Sequence, residues 1–320
     1  MIDDEIIIVT GASGQIGSDL VLKLRETYGN HHVIATDIKK PSQEVLESGP
    51  FEEFDVMNHK QLQRLIEQYK PTQIYHLAAM LSAIGEKMPL KAWNLNMNSL
   101  LYILEEAKNG NFKKVFFPSS IAVYGRNVAR EQTPQHSPKN PSTVYGISKL
   151  AGEKWCEYYY NRYGVDVRSL RYPGLISWKT EAGGGTTDYA VDIFYKALLE
   201  KKYTCFLSAS TALPMMYMDD AIKATINLMQ ADEKKLTVRS SYNLGGISFA
   251  PKEIASEIKK YIPDFTIHYE PDYRQTIADT WPISINDTSA RIDWNWCHNY
   301  DLEKLVIEML AQLKKKLNVI

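Results

Sequence analysis

The chain has 320 residues, of which 44% are hydrophobic and 23% charged, and its formal net charge is -1. That composition suits a globular fold of one large domain, or a large one with a smaller partner, and the interleaved charges leave no basic stripe for a nucleic acid. Cys156, Cys205 and Cys297 have neither paired metal-ligand spacing nor the density of a disulfide scaffold. No apolar run nears the roughly 18 residues of a membrane span, and no leader pattern opens the chain. The expectation is a cytoplasmic protein that needs no metal and has no membrane or nucleic-acid partner.

Short apolar runs alternate with amphipathic ones through the first half. Strands are predicted over residues 5–10, 32–36, 51–56, 73–79, 113–120 and 165–172. Helices are predicted between them, over 19–26, 58–69, 89–108 and 145–163. In the second of these Leu62, Leu65 and Ile66 share a face, and in the third Leu100, Ile103, Leu104 and Ala107 do. Such alternation is the rhythm of βαβ units on a parallel sheet.

After residue 172 the pattern loosens. Gly183-Gly184-Gly185 breaks the chain, and Thr186-Thr187-Asp188 can cap a helix over 189–200. Asp219 and Asp220 open another helix to 229, residues 242–244 read as a strand, and helices follow over 251–261 and 301–317. The expected fold is α/β, a Rossmann doubly wound parallel sheet over 1–172 with a smaller substrate-binding domain over 173–320, from which a segment near 241–246 rejoins the sheet.

The first strand runs into Gly11-Ala12-Ser13-Gly14-Gln15-Ile16-Gly17 and a helix follows at once. Glycines permit a tight turn and close approach of N–H groups to a pyrophosphate, which the helix start also attracts. A glycine triplet alone is a weak signal, since turns collect glycine, but its place between strand and helix strengthens it. Asp37 ends the second strand, twenty residues beyond Gly17. A carboxylate there can bind both hydroxyls of an adenine ribose and repels a 2′-phosphate, which favours NAD over NADP. Lys39 and Lys40 nearby could serve a phosphate, and Asp37 could simply be a solvated loop residue. Asp55 and Val56 end the third strand, and Leu77, Ala78 and Ala79 the fourth, so that they too can face a flat cofactor at the carboxyl edge.

Tyr145 and Lys149 stand four apart at a helix start and share a face. A phenol titrates near pH 10, but an adjacent ammonium and a cationic cofactor ring both favour the phenolate a general base needs. Seen alone, such a pair is a common surface feature. Ser119 and Ser120 close the fifth strand, where a hydroxyl can hold a reacting oxygen opposite Tyr145, and strand alternation does not say which of the two points inward.

The glycine loop, Leu77-Ala78-Ala79, Ser119-Ser120-Ile121-Ala122-Val123-Tyr124-Gly125 and the Tyr145 to Lys149 motif together resemble the extended short-chain dehydrogenase/reductase superfamily, nearly along the whole chain. The resemblance implies an NAD-dependent enzyme with Ser120, Tyr145 and Lys149 as its catalytic set. It also implies a role near the cofactor or its helix scaffold for Asn96, and a dimer formed through the helices near 94–108 and 145–163.

Residues Arg171 to Ser177, Gly183 to Ala190, Leu213 to Tyr217 and Arg274 to Pro282 are similar to the short-chain type of L-threonine 3-dehydrogenase. The asparagine that sugar-nucleotide members usually carry after the sixth strand is absent. This likeness implies that Pro173 and Leu175 line the nicotinamide and that Ser82, Ser120, Tyr145, Gly184 and Thr186 meet L-threonine, with Thr187 and Trp281 completing its pocket. Asp188 could cap the following helix or meet the ammonium. The rival readings are a nucleotide-sugar epimerase or dehydratase, and a catalytically silent NAD-binding regulator, against which the intact Ser120, Tyr145 and Lys149 speak.

Overall fold

A computed structural model describes residues 5–181, 183 and 185–319. The chain enters on β1 (Ile7–Thr10) and passes through the glycine loop into α1 (Gln15–Tyr28) and β2 (Val33–Asp37). It continues as α2 (Gln43–Glu47), β3 (Phe51–Glu53), α3 (His59–Tyr69), β4 (Gln73–His76), α4 (Ser82–Lys87), α5 (Pro89–Lys108), β5 (Lys114–Ser120), α6 (Val144–Tyr163) and β6 (Val167–Tyr172). Then come β7 (Gly174–Ile176), α7 (Tyr189–Leu199), β8 (Lys202–Cys205), β9 (Leu213–Tyr217), α8 (Met218–Gln230) and β10 (Tyr242–Asn243). The chain closes with β11 (Ile247–Phe249), α9 (Pro251–Lys259), β12 (Thr266–Tyr269), α10 (Tyr273–Ala278), α11 (Thr288–Trp294) and α12 (Leu302–Leu317).

Seven strands form a parallel sheet in the order β10-β6-β5-β4-β1-β2-β3. From β1 the chain steps outward through β2 and β3, then crosses back to β4 and steps the other way. Loops leaving β1 and β4 therefore diverge, and the crevice this opens at the carboxyl edge is where such sheets take ligands. On one face, Leu20, Val21 and Leu24 of α1 pack with Ala221, Ala224 and Leu228 of α8. On the other lie Leu62 and Leu65 of α3 with Leu100, Ile103 and Leu104 of α5. Helix α3 illustrates the local logic. Asn58 caps it by accepting the Gln61 N–H at 3.2 Å, Leu62, Leu65 and Ile66 are buried, and it stops at Lys70, whose φ of 48° lies in the left-handed region. Burying each of those side chains contributes about 1.5–3 kcal/mol, more than the roughly 1–2 kcal/mol a left-handed residue costs.

A second body comprises the β11-β9-β7 and β12-β8 sheets, whose core joins Ile193 and Phe194 of α7, Ile254 and Ile258 of α9, and Leu305 and Met309 of α12. Strand β10 pairs with β6 and so lies in the central sheet, with Tyr242 opposite Leu170 and Asn243 opposite Arg171.

Boundaries shift where function gathers. The strands expected over 51–56 and 73–79 stop at Glu53 and His76, because residues 54–56 and 77–79 leave the ladder at the sheet edge and turn into the crevice. Strands β7, β8, β9, β11 and β12 have no counterpart in the pattern reading. They are three to five residues long; β9 is buried at every position, and although β8 and β12 alternate, four residues are too few to mark a strand.

Candidate active site

At the carboxyl edge of the sheet lies a cavity of about 410 Å³. Its pyrophosphate-sized end is built by the glycine loop. Gly11 has φ +72°, and a Cβ on it would stand 2.7 Å from the Ala78 nitrogen; one on Gly17 would stand 2.1 Å from the Gly11 oxygen. Neither position tolerates a side chain, so the loop lies flat against the β4 turn and α1 starts in contact with it. Helix α1 begins at Gly14 without a side-chain cap, leaving its first-turn N–H groups available to an anion in the cavity.

Asp37 closes the loop from β2. Its Oδ2 accepts the Ser13 N–H and its Oδ1 the Lys39 N–H, each at 3.0 Å. Beneath the loop, the Thr10 hydroxyl donates to His76 Nδ1 and accepts the Ala78 N–H, at 2.9 and 3.3 Å. The Ser99 hydroxyl donates to the Leu95 carbonyl, so His76 Nε2 must be the donor in its 2.9 Å bond to Ser99 Oγ. His76 is thus a neutral imidazole with both nitrogens used, and burial, with a smaller contribution from Lys149, pushes its pKa down to about 3. The network fixes the Leu77 to Ala79 turn against the glycine loop.

The reactive end is set by β5 and α6. Thr143 caps α6 by accepting the Gly146 N–H at 3.1 Å, which places Tyr145 in the first turn. Strand β5 presents three successive groups to α6 and the cavity. The Pro118 carbonyl accepts Lys149 Nζ at 2.7 Å, the Ser119 hydroxyl donates to Glu153 at 2.6 Å, and Ser120 Oγ accepts the Ala122 N–H at 3.2 Å. Ser119 is thereby committed to the interior, and Ser120 keeps its proton for the cavity. Both serines border the cavity, and of the two only Ser119 has its hydroxyl proton engaged by Glu153.

Burial pushes the Tyr145 phenol up to about 12, and the Ser120 hydroxyl pulls it back part of the way. Burial pushes the Lys149 ammonium down to about 8, against a small opposing effect of Cys156. Lys149 Nζ sits 5.5 Å from the centre of the Tyr145 ring. In the cofactor-free protein Lys149 is turned to the Pro118 carbonyl, and burial is the dominant influence on the Tyr145 phenol.

The far wall comes from the second body. Thr186 is buried, Thr187 and Gly185 line the cavity beside it, and Trp281 and Ser82 close the sides. Asp188 occupies the N-cap position of α7 but makes no side-chain cap; its Oδ2 accepts the Gly185 N–H at 2.7 Å and so shapes the turn instead. The capping alternative is thus corrected at the side-chain level. Among the described residues, no group of three or more His, Cys, Asp or Glu side chains is placed to hold a metal ion.

A profile of the NAD dependent epimerase/dehydratase family matches residues 7–245. The chain belongs to that family. A relative in Staphylococcus haemolyticus, described only as an uncharacterized epimerase/dehydratase, is 46% identical over 98% of both chains. A GalE-like L-threonine dehydrogenase from Cupriavidus necator, in a holo form, is 53% identical with TM-score 0.94, covering 97% of this chain and 100% of that one. An L-threonine 3-dehydrogenase from a metagenome, described as monomeric, is 49% identical with TM-score 0.93 over 97% and 99%. As a member of an NAD-dependent family, the chain is an oxidoreductase that binds NAD. The residues fit that cofactor: the flat glycine cradle, the open α1 start and the Asp37 carboxylate stand along one cavity.

The cavity gathers Gly11, Gly14, Gln15, Ile16, Gly17, Asp37, Asp55, Val56, Leu77, Ala78, Ala79, Ser82, Ser120, Tyr145, Lys149, Pro173, Leu175, Thr186, Thr187 and Trp281. Asn96 does not line it. Its amide accepts the Met80 N–H at 2.8 Å and donates to the Met80 carbonyl and to Ser148 Oγ, at 3.1 Å each, which makes it part of the scaffold rather than a cofactor contact. Gly184 lies outside the described residues. Sequence reasoning missed Ile38, Phe54, Leu81, Leu95 and Tyr172 on the lining. Ile38 and Leu81 carry a signal, being large apolar residues just past strand ends and both 62% exposed.

Proposed function

We propose that the protein oxidises L-threonine at C3 to 2-amino-3-ketobutyrate. The observation that carries this reading is the joining, in one cavity, of the Ser120 and Tyr145 hydroxyls with a helix start bearing Gly185, Thr186 and Thr187 and a Trp281 wall. Donors at the α7 start suit a carboxylate, and Trp281 suits a methyl. The 53% identity to an L-threonine dehydrogenase supports the same assignment.

NAD supplies the acceptor for the hydrogen and electron pair that leave C3. Ser120 donates to the C3 oxygen and orients it. Tyr145, as phenolate, takes the hydroxyl proton. Lys149 assists that loss and holds the nicotinamide ribose, while Pro173 and Leu175 bound the ring site. Tyr145 sits near 12 in the cofactor-free protein, and on this reading its phenolate is favoured once the site is filled, since a cationic ring beside it would lower that value. Asp37, Asp55 and Val56 hold the adenosine portion, and Leu77 to Ala79 border it.

Residues 173–320 act mainly as the substrate-binding domain on this reading, the protein works in the cytoplasm, as its unpaired buried Cys156 and Cys205 suit, and the enzyme is a homodimer. Leu90, Trp93, Ile147, Trp155 and Tyr158 on α5 and α6 are exposed, and they form the face on which a second copy would sit. Among the described residues no helix is long and apolar enough to cross a membrane.

The test is purified protein with NAD against L-threonine and a UDP-sugar panel. Stoichiometric NADH formation with threonine is expected. Sugar interconversion without net NADH would instead establish the epimerase reading, and NAD binding with neither activity the silent regulator.

A further inference from the structure

Below the reacting hydroxyls lies a polar cluster that the chemistry above does not use. Glu153 is fully buried and Arg171 is 1% exposed. Arg171 Nε meets Glu153 Oε1 at 2.8 Å and its Nη2 meets Oε2 at 2.9 Å, a two-pronged pair. The remaining Arg171 nitrogen donates to the Tyr124 hydroxyl, the Gln135 carbonyl and Asn243 Oδ1, at 3.1, 3.0 and 2.9 Å. Asn243 in turn donates to the Thr133 and Asn286 carbonyls. Glu153 Oε1 also accepts the Ser119 hydroxyl at 2.6 Å.

Burying such a pair is poor evidence of stabilisation, because desolvation costs several kcal/mol per ion and apolar replacements are often neutral. What this cluster does have is location. Glu153 stands one helical turn beyond Lys149 and two beyond Tyr145 on α6. Arg171 lies opposite Ser119 in the β5–β6 register and two residues before Pro173. Asn243 is the β10 residue opposite Arg171. One hub thus ties α6, β5, β6 and β10 together at the level just under the Ser120 and Tyr145 hydroxyls and the Pro173 wall.

We propose that Glu153 and Arg171, linked through Ser119, are positioning residues that set the distance between Ser120 on β5 and Tyr145 on α6. Without the Ser119 bond to Glu153, β5 keeps the Pro118 carbonyl contact to Lys149 and the Ser120 hydroxyl at Tyr145 as its polar ties to α6. The end of β5, which beyond Phe116 is laddered to β6 alone, can then shift and carry Ser120 away from the phenol. Misplacement of about 1 Å at a reacting pair can cost up to a hundredfold in rate.

This inference rests on the proposed threonine chemistry for its kinetic readout, and a second readout is independent of it. Ser119→Ala removes the link without orphaning a buried charge, and Ser119→Thr keeps the hydroxyl. For Ser119→Ala, kcat for L-threonine should fall about tenfold with KM within about twofold, the pattern of a group acting only in the transition state, and Ser119→Thr should recover most of the loss. Independently, crystal structures of the cofactor-free wild type and Ser119→Ala compare the separation of Ser120 Oγ from the Tyr145 hydroxyl. That separation should widen by about 1 Å in Ser119→Ala and return in Ser119→Thr. An unchanged separation overturns the proposal, whatever the melting temperature does. If the wild type leaves threonine unoxidised, the substrate assignment falls while the separation still decides the role of the hub.

Discussion

Tyr145 shows why the catalytic set is only half-written in its own side chains. Burial holds the phenol near 12 and the ammonium of Lys149 near 8, so in the free protein the phenol is not poised for base catalysis at neutrality. Rate should accordingly climb with pH by about tenfold per unit through the neutral range until the phenol titrates in the NAD complex; a flat kcat/KM between about pH 6 and 9 would remove Tyr145 as the base. Asp37 makes a second residue-scale claim. Its carboxylate already holds the Ser13 and Lys39 N–H groups and lines the cavity, and on the proposed reading its charge would repel a 2′-phosphate. Asp37→Ser should weaken NAD binding by about 1.5–3 kcal/mol, the worth of a hydrogen bond to a charged group, and narrow the preference over NADP; calorimetric titration with both dinucleotides measures it. Both residues were legible in the sequence, because one is a spacing and the other a place at a strand end. The direction of the Tyr145 shift was not, because it depends on how much protein surrounds the ring and on where Lys149 points.

At the scale of elements, the loops that carry the site are fixed by the short buried network under β1 and β4. Neutral His76 holds Thr10 on one side and Ser99 on the other. Its pKa in the folded protein is about 3, below the ordinary value of 6.5. Between those values the unfolded chain binds a proton that the native state refuses, so stability falls as pH drops through that window and is unaffected above it. Replacing His76 by Asn removes the titration. The melting advantage of wild type over His76→Asn should therefore shrink between about pH 7.5 and 5; a constant gap would mean that His76 is not buried as a neutral group. Periodicity located α3 and α5, whose apolar faces repeat over whole turns. It overran β3 and β4, since the residues that leave the sheet to line the cavity are as apolar as those that stay. For Asn96 a motif can say that a polar residue belongs near the cofactor or its scaffold, yet not that both ends of its amide are spent on Met80 and Ser148.

For the whole molecule, the parallel sheet was readable because each βα unit announces itself locally, whereas its strand order and the second body, assembled from strands of three to five residues, acquire meaning only when paired. Trp281 reaches the cavity from more than a hundred residues beyond Tyr145, a proximity that no local pattern contains. The exposed face of α5 and α6 leads to a prediction of its own. Sedimentation should give about twice the 36.6 kDa chain mass, and Trp93→Glu with Trp155→Glu should reduce it to one chain with the fold intact; a monomeric wild type would contradict the dimer. The central claim, that a phenol over the cofactor cavity takes the proton from threonine, is tested most directly by Tyr145→Phe. Turnover of L-threonine should fall by at least about a hundredfold while NAD affinity stays within about threefold, as expected for a group that acts in the transition state. Undiminished NADH formation by that variant would contradict the account.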